Sequence, residues 1–125
     1  MTLVIVDDDD GARRAVARLL RCMGHAVHAF DSAEAFEAGP LPADCLIVDV
    51  RLRGLSGPEL CDRLRRRGNF TPVVFITGDS APKTRDVVRA TSTPMVSKPF
   101  DDETLMAAID AAVSSADRIR DEHAG

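Results

Sequence analysis

Three runs in this chain are apolar at every position rather than at every other one: Leu3-Val4-Ile5-Val6, Cys45-Leu46-Ile47-Val48 and Val73-Val74-Phe75-Ile76. A strand with one face in water alternates apolar and polar residues. A continuous run instead predicts a strand covered on both faces, as parallel strands are. Two weaker runs, Ala26–Phe30 and Met95–Val96, complete a set of five predicted strands.

Helical patterns fill the intervals. Ala12, Val16, Leu19, Leu20 and Met23 keep the spacing of one helix face, and Gly24 follows where a left-handed cap belongs. Asp31 stands three residues before Glu34, which predicts a capping box and a helix to about Glu37. A third helix is expected from Pro58 to Arg67, stopped by Gly68, and a fourth, the weakest, over 82–90. The last carries Leu105, Ala108, Ile109, Ala112, Val113 and Ala116 as one stripe behind Asp101-Asp102-Glu103. Strands and helices that alternate in this way predict an α/β fold, an open parallel sheet with helices on both faces. No linker or repeat divides the 125 residues, so a single domain is expected, with its core over about 3–116 and 117–125 as a helix end or tail.

Composition removes several function classes. The net charge of -4 gives no overall attraction to nucleic acid or an anionic membrane, and the chain has neither Trp nor Tyr to stack bases. No apolar run approaches a membrane span, and the N-terminus lacks a signal-sequence pattern. Cys22, Cys45 and Cys61 are odd in number and lack CxxC spacing, so reduced thiols are expected, with Cys22 and Cys45 buried, in a cytoplasmic protein. His25 and His28 lack the spacing of a zinc site, and Arg63, Arg65, Arg66 and Arg67 suit the negative end of a helix dipole.

Chemistry gathers at the strand ends. The first run stops at Asp7-Asp8-Asp9-Asp10, the third at Asp49, the fourth at Thr77-Gly78, and the fifth runs into Ser97-Lys98-Pro99. Asp9 and Asp10 suit the first turn of a helix, where acids meet the positive end of its dipole. Asp7 and Asp8 are not explained that way. In open α/β sheets the ligand crevice lies beyond the carboxyl ends of the strands. Asp7, Asp8 and Asp49 would meet there with Thr77 and Lys98: carboxylates for a hard cation, a nucleophile, and two groups able to hold phosphoryl oxygens.

Val6-Asp7-Asp8, Ile47-Val48-Asp49, Phe75-Ile76-Thr77-Gly78 and Ser97-Lys98-Pro99-Phe100, in that order, resemble the response-regulator receiver domains of bacterial two-component signalling. The Thr-Gly pair is like that of the nitrogen-fixation-type regulators. The resemblance covers residues 3 to about 116. It implies a flavodoxin-like (βα)5 sheet in strand order 2-1-3-4-5, and a phosphoryl group received on Asp49 from a sensor histidine kinase or phosphotransfer protein. It further implies Mg²⁺ held by Asp8, Asp49 and the backbone carbonyl of Arg51, with Asp7 acting through water. Lys98 would pair with one phosphoryl oxygen and Thr77 with another, Lys98-Pro99 would be a cis peptide, and homodimers would form through the fourth and fifth helices. The domain itself would be a signalling switch rather than an enzyme acting on a substrate, without contact to nucleic acid or membrane.

Several positions depart from that pattern. Met95 stands where an aromatic switch residue is usual, a flexible thioether with less defined rotamers. Arg53 replaces a common Pro, and Thr91-Ser92-Thr93-Pro94 replaces Gly-Ala. Arg51 and Asp79 occupy positions expected to set the dephosphorylation rate. Two other functions compete: a haloacid-dehalogenase-type phosphatase, from the DxDG-like Asp8-Asp9-Asp10-Gly11, and a receiver-like binding module that is never phosphorylated.

Overall fold

The computed structural model describes residues 1–39, 42–78, 93–98 and 100–124. Its strands are β1 (Thr2–Val6), β2 (Ala26–Phe30), β3 (Cys45–Asp49), β4 (Val73–Thr77) and β5 (Met95–Ser97). They form one parallel sheet in the order β2-β1-β3-β4-β5, the flavodoxin-like order that the resemblance implied. The continuously apolar runs are the three interior strands, and β3 and β4 are buried at every residue. The two weaker runs lie at the edges. Only Val27 of β2 is buried and Phe30 is half-buried, because an edge strand has a neighbouring strand on one side alone and its faces are less fully covered.

Side-chain alternation divides the core between the two faces. Leu3, Ile5, Ile47, Val74 and Ile76 pack on helices α1 (Asp10–Cys22) and α4 (Asp102–Ala124). Val4, Val6, Leu46, Val48 and Phe75 pack on α2 (Ala33–Ala38) and α3 (Gly57–Arg66). The α4 stripe enters the first cluster through Leu105, Ile109 and Ala112. The helix expected over 82–90, together with Asp79 and Pro99, lies outside the described residues.

Local chemistry corrects several expectations. The α1 face buries Val16, Ala17 and Leu20, but Met23 is 39% exposed because the helix ends at Cys22 and its period stops there. Cys22, expected to be buried, is exposed. It lies two residues, about 200° of helix rotation, past buried Leu20. Cys45 and Cys61 are buried as free thiols. The cap of α2 is Ser32 rather than Asp31: its hydroxyl accepts the Ala35 N–H at 3.0 Å, which places the capping position one residue later. Gly24 and Gly68 adopt φ of 92° and 83° just beyond α1 and α3, as their positions predict.

The arginine run on α3 is structural, and it binds more than the helix dipole. Arg63 and Arg67 both pair with Glu37 of α2, at 3.3 and 2.8 Å, while Arg65 donates to the carbonyls of Asn69 and Thr71. Arg66 pairs with Asp62 one turn back. His28 is exposed on the edge strand, and His25 Nδ1 lies 3.1 Å from the terminal amine.

Candidate functional site

Parallel pairing in register sets the carboxyl ends of β1, β3, β4 and β5 side by side. Val6 pairs with Val48, so Asp7 and Asp49 are neighbours at adjacent strand ends. Asp49 pairs with Ile76 and Thr77 with Ser97, which sets Thr77 and Lys98 one step further along the same rim. The Lys98 N–H donates to the Thr77 carbonyl at 2.8 Å and so extends the β4–β5 ladder by one rung.

Asp7 is 1% exposed. Its Oδ1 accepts the Asp9 N–H at 2.9 Å, and its carbonyl accepts from the Arg13 guanidinium at 2.9 Å. Its Oδ2 is buried without a hydrogen bond among the described residues, 3.6 Å from Lys98 Nζ. Asp8 faces the loop after β3, where Arg53 N–H donates to Asp8 Oδ2 at 3.1 Å. Asp49 Oδ1 accepts the Arg51 N–H at 2.9 Å, and Oδ2 lies 3.7 Å from Lys98 Nζ. Thr77 is buried at 2% exposure.

Asp7, Asp8 and Asp49 each place a carboxylate oxygen within 4.8 Å of the others. Two like charges at 4 Å repel by ~4 kcal/mol at an effective dielectric of 20, and one lysine offsets only part of such a cluster. Burial pushes the Asp49 carboxyl up to about 6. The Arg51 N–H pulls it down, the Asp7 charge raises it and Lys98 lowers it. An all-oxygen donor set with net negative charge, one of its atoms buried and lacking a hydrogen bond, fits a hard divalent cation.

The remaining acids of the opening run have other duties. Asp9 caps α1 by accepting the Ala12 N–H at 3.0 Å. Asp10 pairs with Arg13, whose hydrogen bond and charge hold its carboxyl below the usual range, and at 73% exposure it belongs to the surface. A cleft of about 480 Å³ opens over the rim, lined by Asp8, Asp9, Asp49, Arg51, Gly78 and Lys98. Met95 is not among its walls; it packs against the Phe75 cluster on the α2–α3 face.

Two contributors were not anticipated: Arg13, which clamps the Asp7 carbonyl, and Gly57. A Cβ on Gly57 would lie 2.5 Å from the Asp49 carbonyl oxygen, so only glycine lets α3 start this close to the end of β3. The Ser56-Gly57-Pro58 start of α3 was the available signal, since Ser and Pro frame a helix N-terminus.

A doubly wound parallel sheet, with three clustered carboxylates and a lysine at its carboxyl rim, defines a class of phosphoryl- and metal-handling α/β domains. The model of the response regulator receiver domain matches residues 3–110, and the chain belongs to that family. It is 39% identical over 124 residues to the transcriptional regulatory protein FixJ of Azorhizobium caulinodans, which covers 96% of this chain and 59% of FixJ. Nodulation protein W of Bradyrhizobium diazoefficiens is 38% identical over 119 residues, covering 93% of this chain and 51% of that protein. Among solved structures, response regulator StyR superposes with a TM-score of 0.81 at 33% identity, over 98% of this chain and 64% of StyR. Chemotaxis protein CheY4 of Vibrio cholerae gives 0.77 at 25% identity, over 89% of this chain and 97% of CheY4. The chain thus spans about half to three-fifths of the curated relatives it matches.

The domain is a phosphorylation switch of two-component signalling. Receiver domains take phosphoryl groups from histidine kinases and generally use Mg²⁺ at an acidic pocket. The DxDG-like run spans the end of the β1–α1 turn and the first two residues of α1, and nothing in the comparisons favours a phosphatase or an unphosphorylated module.

Proposed function

We propose that Asp49 is the phosphoacceptor of this receiver domain. The observation that carries this reading is the placing of Lys98 Nζ, 3.7 Å from Asp49 Oδ2, beside the Asp7–Asp8–Asp49 cluster. In the reaction an Asp49 carboxylate oxygen attacks the phosphorus, the P–N bond to the donor imidazole breaks, and its electron pair returns to the ring. Lys98 supplies a point charge to one phosphoryl oxygen. The Thr77 hydroxyl donates to another, and the Arg51 N–H orients Asp49 through the oxygen that does not attack. Asp8, Asp49 and the Arg51 carbonyl would hold Mg²⁺, with Asp7 acting through water. When bound, that ion would offset the carboxylate repulsion and supply positive charge to the transferring group.

A sensor histidine kinase or phosphotransfer protein is the proposed donor, and the cytoplasm the compartment in which they meet. No helix among the described residues is long and apolar enough to cross a membrane. The chain works as one domain without direct nucleic-acid contact and is not an enzyme toward an external substrate. Thr77 and Met95 form the switch, Arg51 with Asp79 sets phosphoryl lifetime, and homodimers use the segment over 82–90 with α4.

Acetyl phosphate with Mg²⁺ tests the acceptor. Wild type is expected to gain one acid-stable, hydroxylamine-labile phosphoryl group, lost in Asp49→Asn and reduced at least tenfold in Lys98→Ala. An adduct that persists undiminished in Asp49→Asn refutes the assignment.

A further inference from the structure

Lys98 serves two of the three clustered acids, at 3.6 Å from Asp7 and 3.7 Å from Asp49. The third, Asp8, is met by a different cation. On the loop after β3, Arg53 directs two groups at one oxygen of Asp8: its N–H at 3.1 Å and its guanidinium Nε at 3.8 Å from Oδ2. The N–H contact exists only because residue 53 is not proline, which has no backbone donor. The Asp8 side chain is 25% exposed, whereas that of Arg53 is 93% exposed. The carboxylate is therefore partly sheltered, while the cation beside it is free to swing away.

We propose that Arg53 is a displaceable internal counter-cation of Asp8, competing with the divalent ion and setting the Mg²⁺ affinity of the site. This rests on the reading of Asp8 as a metal ligand. A cation approaching Asp8 Oδ2 meets a guanidinium already in attractive contact with it, and the two positive charges repel. Binding then requires Arg53 to leave, so metal occupancy is linked to the position of the loop between β3 and α3. A solvent-exposed ion pair contributes little, so the competition is modest: its removal is expected to tighten Mg²⁺ binding by about two- to fivefold. The difference should narrow at high ionic strength.

Isothermal titration of the full chain with MgCl₂ tests this in wild type, Arg53→Gln, Arg53→Lys, Arg66→Gln and Asp8→Asn. Arg66 is the control, because it lies at the opposite end of α3, paired with Asp62, and its substitution changes net charge equally. Arg53→Gln is expected to bind about two- to fivefold more tightly, with Arg53→Lys between it and wild type. Arg66→Gln should match wild type, and Asp8→Asn should lose most of the affinity. If Asp8→Asn behaves so but Arg53→Gln binds no more tightly than wild type, or Arg66→Gln tightens as much, the counter-cation role is refuted and the metal site stands. No binding by wild type, or undiminished binding by Asp8→Asn, refutes the metal reading and this inference with it.

Discussion

At the scale of single residues, the main tension lies at Asp49, where the proposed chemistry needs a carboxylate and the surroundings resist one. Burial raises its carboxyl to about 6, above the ordinary 3.8. A raised folded-state value means that the native chain holds a proton the unfolded chain has released between about pH 4 and 6. Ionised Asp49 therefore destabilises the metal-free fold above pH 6, and the penalty disappears as the pH falls through 6 towards 4. Asp49→Asn removes the charge and keeps an oxygen for the Arg51 N–H. In EDTA at pH 7.5 it is expected to be more stable than wild type by roughly 1–3 kcal/mol, and equal to it near pH 4. Urea unfolding across that range checks this; a difference that does not change with pH would show that the charge is not its source. That Asp7 and Asp8 reach the rim beside Asp49 was legible from their place after an apolar run. The pairing of Asp8 with Arg53 was not, because 45 residues separate them and only the fold brings them together.

At the scale of elements, strand positions were readable because a continuous apolar run has one natural use in a parallel sheet. Caps were less so. Asp31 and Ser32 are both good capping residues, and the choice between them depends on which backbone N–H the side chain reaches. Cys22 was misplaced for a related reason: apolar character along a segment does not fix the angle at which a residue leaves the helix. The junction of β3 with α3 is the most constrained feature at this scale. Gly57 donates its N–H to the Val50 carbonyl at 2.9 Å while its α-carbon faces the Asp49 carbonyl. Both contacts are to backbone, which cannot rotate away as a side chain can. Gly57→Ala is expected to lower stability by about 2–4 kcal/mol and to slow phosphorylation by acetyl phosphate, because relief of the clash must move the end of β3 that carries Asp49. Chemical denaturation and the acetyl phosphate assay read the two effects. A variant of wild-type stability would mean that the loop yields more easily than its packing implies.

At the scale of the whole molecule, the sheet separates two cores that have no large side chain in common, and each holds one buried thiol. Cys45 belongs to the cluster under α1 and α4, and Cys61 to the cluster under α2 and α3. Burial pushes the Cys45 thiol up to about 12, with the charge of Asp44 adding to it, and burial likewise raises Cys61. Burial shields both and favours their thiol form while the fold is closed, whereas exposed Cys22 is accessible throughout. A thiol reagent should thus modify one cysteine of the native protein at once and the other two only through opening. Because β1, β3 and β4 contribute alternate residues to both clusters, neither layer can separate without stripping the opposite face of the same strands. Cys45 and Cys61 are therefore expected to react at rates set by one global opening, falling together as stability rises and increasing together in urea. Mass-resolved labelling with iodoacetamide at pH 8 follows each site separately. If Cys61 is modified well ahead of Cys45 at low urea, α2 and α3 open as a unit of their own, and the loop that carries Arg51 and Arg53 moves with less restraint than the closed sheet implies.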